Sequence, residues 1–206
     1  MHLDLSTLPG DRIGKLLNAV VVPRPIALTT TVDAAGRINA APFSYFNAMG
    51  ANPPVVALGV GRTKHTAANI AATGEFTVNL VPAELAEAMN ITAIEFPEGE
   101  DELRQAGLTP APAAEIRPPL IAECPVSLEC RLIQAVDTGG TFIQIGRVLH
   151  LHVRDDLYDP ARGHIATERM GLIGRMHGGG WYARTSDLFE LPRIALSAWR
   201  VRKGGP

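Results

Sequence analysis

The chain has 206 residues, of which 46% are hydrophobic and 19% charged, and its formal net charge is -2. That length holds one domain with a real core, and the composition excludes a disordered or coiled-coil chain. The near-neutral charge excludes nucleic-acid binding by bulk electrostatics. No apolar run approaches the ~20 residues of a membrane helix; the longest, 18–28, is broken by Pro23, Arg24 and Pro25. Met1-His2-Leu3-Asp4 lacks the basic and apolar regions of a secretion signal. A cytoplasmic location follows as the expectation.

With 20 glycines, 16 prolines and 5% aromatics, short elements and many turns are expected. Residues 10–19 read as a short helix, and Pro23-Arg24-Pro25 then forces an extended path. Residues 26–32 are rich in Thr and Val and read as a strand. Asp33-Ala34-Ala35-Gly36 is a turn, and 37–41 return as the second arm of a hairpin. Asn52-Pro53-Pro54 reads as a loop and 55–60 as a buried strand. Residues 63–73 are helix-like, with Thr63 as N-cap and Gly74 as terminator. Residues 75–81 alternate as a strand. Residues 83–93 and 101–106 look helical. The stretch 108–119, with four prolines, is predicted to be extended and to wrap the surface. Residues 126–136 and 141–153 are the longest strand candidates, joined by Asp137-Thr138-Gly139-Gly140 as a hairpin. Clear periodicity ends after Asp155. Six hairpin-linked strands with helices between them imply a β-barrel with helical decorations, not a doubly wound parallel sheet. No repeat or linker divides the chain, so 1–206 reads as a single domain.

Cys124 and Cys130 are six residues apart. On one strand both would share a face about 20 Å apart, too far for a disulfide. They read as reduced packing residues, and the spacing is a poor zinc signature. His150 and His152 share a strand face, with no third metal ligand suggested by spacing. A place at a ligand's edge and a plain structural role both stay open for them.

There is no GxGxxG turn, Walker loop or GxSxG elbow. Two segments carry chemistry instead. Asn39-Ala40-Ala41-Pro42-Phe43-Ser44-Tyr45-Phe46-Asn47-Ala48-Met49 mixes small residues, amides, hydroxyls and aromatics directly after a strand. Such a loop can cover a flat polar heterocycle; a barrel-rim loop filling the core is the plainer alternative. Arg62-Thr63-Lys64-His65-Thr66 stands at a helix start, where free N–H groups, the helix dipole, Lys64 and Thr66 would suit a phosphate. An ordinary solvated cap is the alternative. A third stretch, Arg175-Met176-His177-Gly178-Gly179-Gly180-Trp181-Tyr182-Ala183-Arg184, reads either as a lid of aromatics after glycines or as an ordered loop packed on the barrel.

The run Arg24-Pro25-Ile26-Ala27-Leu28-Thr29-Thr30, then 33–36 and 39–47, resembles the flavin reductase-like family of FMN-binding split β-barrels. Pro53-Pro54, Lys64-His65-Thr66, Asn69-Ile70, Thr73 to Leu80 and the late strand Ile145 to Val153 match in the same order. The resemblance covers roughly 18–185, which leaves 186–206 as a C-terminal extension. It implies a six-stranded split barrel of Greek-key type, a homodimer, and FMN, or FAD, near the subunit interface. Carried over position by position, Asn39, Ser44, Tyr45 and Asn47 would lie against the ring or ribityl chain. Lys64 and Thr66 would take the phosphate, and Arg24 would add positive charge nearby. His65 stands where family members often carry an acid.

The activity implied is hydride transfer from NADH or NADPH to flavin, with a monooxygenase or another acceptor as partner. Such a step needs no protein acid or base, which agrees with the missing nucleophile and carboxylate pair. No catalytic residue is assigned, and His177 is the one candidate for a group near the nicotinamide. A flavin-binding electron carrier or storage protein without nicotinamide turnover is the alternative. A barrel that binds a different flat ligand, or serves as an interaction module, is the third.

Overall fold

The computed structural model describes residues 1–97 and 99–202. The last four positions of the expected C-terminal extension, 203–206, lie outside the described residues. The chain opens with helix α1 (Gly10–Val20). Seven strands follow in one sheet: β1 (Ala27–Val32), β2 (Ile38–Phe43), β3 (Phe46–Ala51), β4 (Pro54–Gly61), β5 (Glu75–Leu80), β6 (Val126–Asp137) and β7 (Thr141–Val153). Their order is β2-β1-β5-β6-β7-β4-β3, and every neighbouring pair is antiparallel. Helices α2 (His65–Thr73), α3 (Ala86–Ile91) and α4 (Glu102–Gln105) lie in the connections, and α5 (Leu196–Arg202) lies near the end.

The edge strands β2 and β3 are consecutive in the chain, separated only by Ser44 and Tyr45. A two-residue link forces the two edges together at that corner. The sheet therefore curls into a barrel, yet among the described residues no ladder closes β2 onto β3. The expectation of six strands is corrected to seven in this sheet. The added strand is β3, which reads as a loop in the sequence. It is an edge strand whose side chains are exposed at five of six positions, so it carries no alternation of buried and exposed residues.

Local chemistry explains the hairpins. Asp33 Oδ1 accepts the N–H of Ala35 at 2.8 Å and of Arg37 at 2.9 Å, closing the β1–β2 turn. At the β6–β7 turn, Asp137 Oδ1 accepts Gly139 N–H at 2.8 Å. Gly139 has φ +96°, which favours glycine. Gly74 ends α2 at φ +70°, as expected. Two boundaries differ from the sequence reading. The cap of α2 is Lys64, not Thr63, because β4 runs to Gly61 and Lys64 N–H turns back to the Gly61 carbonyl at 3.1 Å. Residues 83–93 divide into a 3-10 turn (Ala83–Leu85) and the short α3.

Two cores sandwich β1, all six of whose residues are buried. One, inside the curl, joins Ala27, Leu58, Val60, Ile70, Phe76 and Cys130. The other, under α3 and α4, joins Leu28, Val81, Met89, Leu103, Ile121 and Cys124. The cysteines therefore do not share a strand face; Cys124 precedes β6 and packs in the second core. Both thiols are free, and burial pushes each up to about 12, so both stay protonated packing groups. The proline-rich stretch is a strap, as expected. Thr30 and Thr77 donate to the Pro119 carbonyl, and Ile121 N–H donates to Asn79 Oδ1 at 3.0 Å. No helix among the described residues is long and apolar enough to cross a membrane.

Candidate functional site

The strand β2 delivers Asn39 to the start of α2, where it meets a residue 27 positions later. Asn39 Nδ2 donates to Thr66 Oγ1 at 3.0 Å. Asn69 Nδ2, one turn further, donates to Thr31 Oγ1 at 3.0 Å. These amide–hydroxyl bonds fasten α2 across β1 and β2. Thr66 is buried beneath Asn39, whereas Lys64 remains half-exposed. A groove of about 440 Å³ opens here, lined by Asn39, Pro42, Phe43, Lys64 and Thr66 and by the loop after α3. The first turn of α2 has no side-chain cap and no acidic residue. Its dipole and amides are thus available to an anion, next to the Lys64 ammonium.

The remaining predicted residues sit past Pro42 and Phe43, which also line a second hollow of about 320 Å³ with Ser44, Arg24, Arg175 and Tyr182. The two hollows share Pro42, Phe43 and Ala93, so they adjoin along these residues between the α2 start and the Ser44 corner. Arg24 is buried, and its guanidinium is committed to protein acceptors. Nε donates to Ser44 Oγ at 3.3 Å, Nη1 to the Asn18 and Val21 carbonyls at 2.8 and 2.7 Å, and Nη2 to the Met176 carbonyl at 2.8 Å. Arg24 thus braces α1, the Ser44 corner and the 175–182 segment as well as placing charge at the rim. Tyr45 O–H donates to Asn18 Oδ1 at 3.1 Å and faces a third, apolar cleft. Asn47 also lines that cleft, and its Oδ1 accepts Ala48 N–H at 2.8 Å. The structure thus gathers Asn39, Lys64 and Thr66 at one end and Arg24 and Ser44 at the other. Tyr45 and Asn47 line the third cleft, which shares Arg24 and Ser44 with the second hollow.

The 175–182 segment is an ordered hairpin. Arg175 pairs with Tyr182 in the ladder, stacks on its ring at 4.6 Å and donates to its hydroxyl. His177 sits at the exposed tip with its ring 5.7 Å from that of Trp181. His150 and His152 lie elsewhere: His150 bonds Glu115 of the strap at 3.1 Å and His152 bonds Glu129 of β6 at 2.6 Å. Neither histidine lines the two hollows. No group of three metal-ligating side chains occurs among the described residues. Sequence reasoning missed Glu95 and Glu102. Glu95 Oε1 is 2.5 Å from Lys64 Nζ, and Glu102 Oε2 accepts Ala40 N–H at 3.1 Å from the far side of the groove. Neither has a local motif, because its partner comes from a distant segment.

A curled, unclosed antiparallel sheet whose edge carries an anion-ready helix start defines a split barrel built around a polar groove. Residues 19–169 match the family model "Flavin reductase like domain", and the chain belongs to that family. An uncharacterized protein of Deinococcus radiodurans is 44% identical, over 97% of this chain and 92% of its own length. The structure of nitrilotriacetate monooxygenase component B from Bacillus cereus is 34% identical with a TM-score of 0.88, covering 93% of this chain and 98% of that one. The 2-nitrobenzoate 2-nitroreductase NbaA of Pseudomonas fluorescens is 31% identical with a TM-score of 0.89, covering 95% and 98%.

Proposed function

We propose that the chain is an FMN-binding oxidoreductase that passes hydride from NADH or NADPH to flavin. The observation that carries this reading is the pair of adjoining hollows between the bare start of α2 and the Ser44 corner, in a chain of the flavin reductase-like family. The residues present fit the cofactor. An ammonium, a hydroxyl and uncapped amides match a phosphate. The Asn39 amide suits a polyol, and the Pro42–Phe43 wall suits the face of a flat ring. FAD shares these groups and is the second candidate cofactor.

When bound, the flavin supplies the hydride acceptor, so the reaction draws its chemistry from the two cofactors. The protein's own work is positioning. Lys64 and the first turn of α2 hold the anionic tail. Asn39, locked by Thr66, presents an oriented amide at the groove wall. Arg24 fixes Ser44 and the Met176 carbonyl in one frame, so the ring end of the adjoining hollows is preorganised. The Arg175–Tyr182 pair walls its outer side. The Bacillus cereus structure is named as a monooxygenase component, which supports a monooxygenase or another acceptor as partner. Anaerobic mixing of the FMN-loaded protein with NADH and with NADPH tests the reading: at least one donor bleaches the oxidised flavin band. A protein that stays yellow with both is an electron carrier or store, not a reductase.

The homodimer is part of the same proposal. Val21, Tyr45, Phe46, Met49 and Ile143 line an apolar cleft of about 500 Å³ beside the exposed edge strand β3. Leu188, Phe189 and Leu191 stand exposed on the C-terminal arm. A cleft, a bare edge and an apolar arm on one chain are the features a second copy covers. Equilibrium sedimentation at micromolar concentration should give twice the chain mass, and Met49→Asp should shift it toward the monomer. A wild-type monomer at that concentration removes the dimer from the proposal.

A further inference from the structure

Residues 92–97 follow α3 and border the groove, where Thr92, Ile94, Glu95 and Phe96 line it. The base of this connection is anchored: Thr92 is buried and its hydroxyl donates to the Met89 carbonyl at 2.7 Å. Ala93 and Ile94 N–H groups turn back onto Asn90 and Ile91. The turn projects Glu95 over the start of α2, where its carboxylate lies 2.5 Å from the Lys64 ammonium, 31 positions away in the chain. Glu95 thus places an anion on the cation that the reading above assigns to the flavin phosphate.

We propose that Glu95 is an affinity-determining residue, whose carboxylate competes with the FMN phosphate for Lys64 and keeps the flavin exchangeable. The inference rests on the flavin reading of the groove. Its physical content lies in how wet the pair is. The Glu95 side chain is 83% exposed and that of Lys64 49%. Opening such a pair leaves neither charge buried, so a phosphate dianion displaces the carboxylate at little cost. A buried pair would lock the groove; an exposed one only tunes it. Displaced or not, Glu95 also stays near the phosphate as a like charge. The Lys64 hydrogen bond and charge hold the Glu95 carboxyl below its ordinary 4.5, so it is ionised at neutral pH. The outcome is a flavin that is held and also released, which suits delivery of reduced flavin to a separate acceptor.

The test compares FMN with riboflavin, which has the same ring and polyol and no phosphate. Both are titrated by fluorescence quenching into wild type, Glu95→Gln and Glu95→Lys. FMN should bind about two- to fivefold more tightly to Glu95→Gln, the range an exposed ion pair spans. Glu95→Lys should exceed it, because the side chain changes from competitor to second phosphate ligand. Riboflavin affinity should stay within twofold throughout. The gain for FMN should shrink in high salt and on a Lys64→Ala background, where no ammonium remains to be freed. FMN affinity unchanged in both variants overturns the inference and leaves the flavin reading standing. Equal tightening of riboflavin also overturns it, because Glu95 then acts on groove shape. Wild-type protein that binds neither flavin overturns both.

Discussion

Lys64→Ala should weaken FMN binding by roughly 10- to 100-fold while changing riboflavin binding less than twofold. A hydrogen bond to a charged group is worth roughly 1.5–3 kcal/mol, and tenfold in affinity is about 1.4 kcal/mol. The Lys64 side chain is half-exposed and its ammonium pairs with the exposed Glu95 carboxylate. Its removal therefore leaves no buried group stranded, and the melting temperature should stay near that of wild type. Thr66→Ala is a different experiment. Thr66 is buried and accepts the Asn39 amide at 3.0 Å. The variant loses a phosphate-side hydroxyl and also loosens Asn39, whose other acceptor, Thr31 Oγ1, is 3.5 Å away. About 1 kcal/mol of stability, or roughly 2–4 °C in a chain of this size, should go with it. Thr66→Ser restores the hydroxyl and should recover both properties. Isothermal titration with the two flavins, beside thermal melts, separates these effects. Equal losses for FMN and riboflavin in Lys64→Ala would refute the phosphate assignment.

The contrast between those two residues marks how far the sequence could be read. Lys64 and Thr66 stand out as chemistry because a helix start is a local pattern with a local consequence. That Thr66 also latches Asn39 depends on β2 lying across α2, a contact no spacing rule contains. Arg24 shows the same limit. Its charge is visible in the chain, but its bonds to Asn18, Val21, Ser44 and Met176 span up to 152 positions. They make it a brace first. The long hairpin β6–β7 was legible because alternation and an Asp-Thr-Gly-Gly turn coincide there. The strand β3 was not, because an exposed edge strand lacks the buried face that writes a period into sequence. Phe46, Asn47 and Met49 of that strand, with Tyr45 beside it, line the apolar cleft, which shares Arg24 and Ser44 with the hollow at the corner. Gly59 records the closeness of that corner. Its N–H donates to the Tyr45 carbonyl at 2.7 Å, and a Cβ there would meet Tyr45 Cβ at 2.9 Å.

The largest loss of stability should come from Glu129, which no motif announces. It is fully buried on β6 and forms a receptor for the backbone of the strap. Oε1 accepts Ala114 N–H and the His152 ring nitrogen, both at 2.6 Å. Oε2 accepts Glu115 and Ile116 N–H at 2.9 and 3.3 Å. Successive amides converging on one carboxylate form a nest for its charge. Burial alone would raise this carboxyl, but the amides of Ala114, Glu115 and Ile116 and the His152 ring outweigh it and hold it below the ordinary 4.5. Glu129→Leu leaves those donors facing hydrocarbon and should cost about 3–5 kcal/mol, the range for breaking a buried charged network. That corresponds to roughly 6–20 °C in melting temperature. Glu129→Gln keeps the shape but turns an NH2 group toward the strap amides, and should lie between Leu and wild type. The pH dependence has a definite sign. The unfolded chain takes up the Glu129 proton at a higher pH than the folded chain, so the advantage of wild type over Glu129→Gln is full above 4.5. It fades as pH falls through the lower folded value. The strap lies apart from the groove, so FMN affinity measured well below the melting point should stay within twofold in Glu129→Gln. A Glu129→Gln melt within about 1 °C of wild type at neutral pH would show that the strap is held by its Thr30, Thr77 and Asn79 contacts and not by this carboxylate.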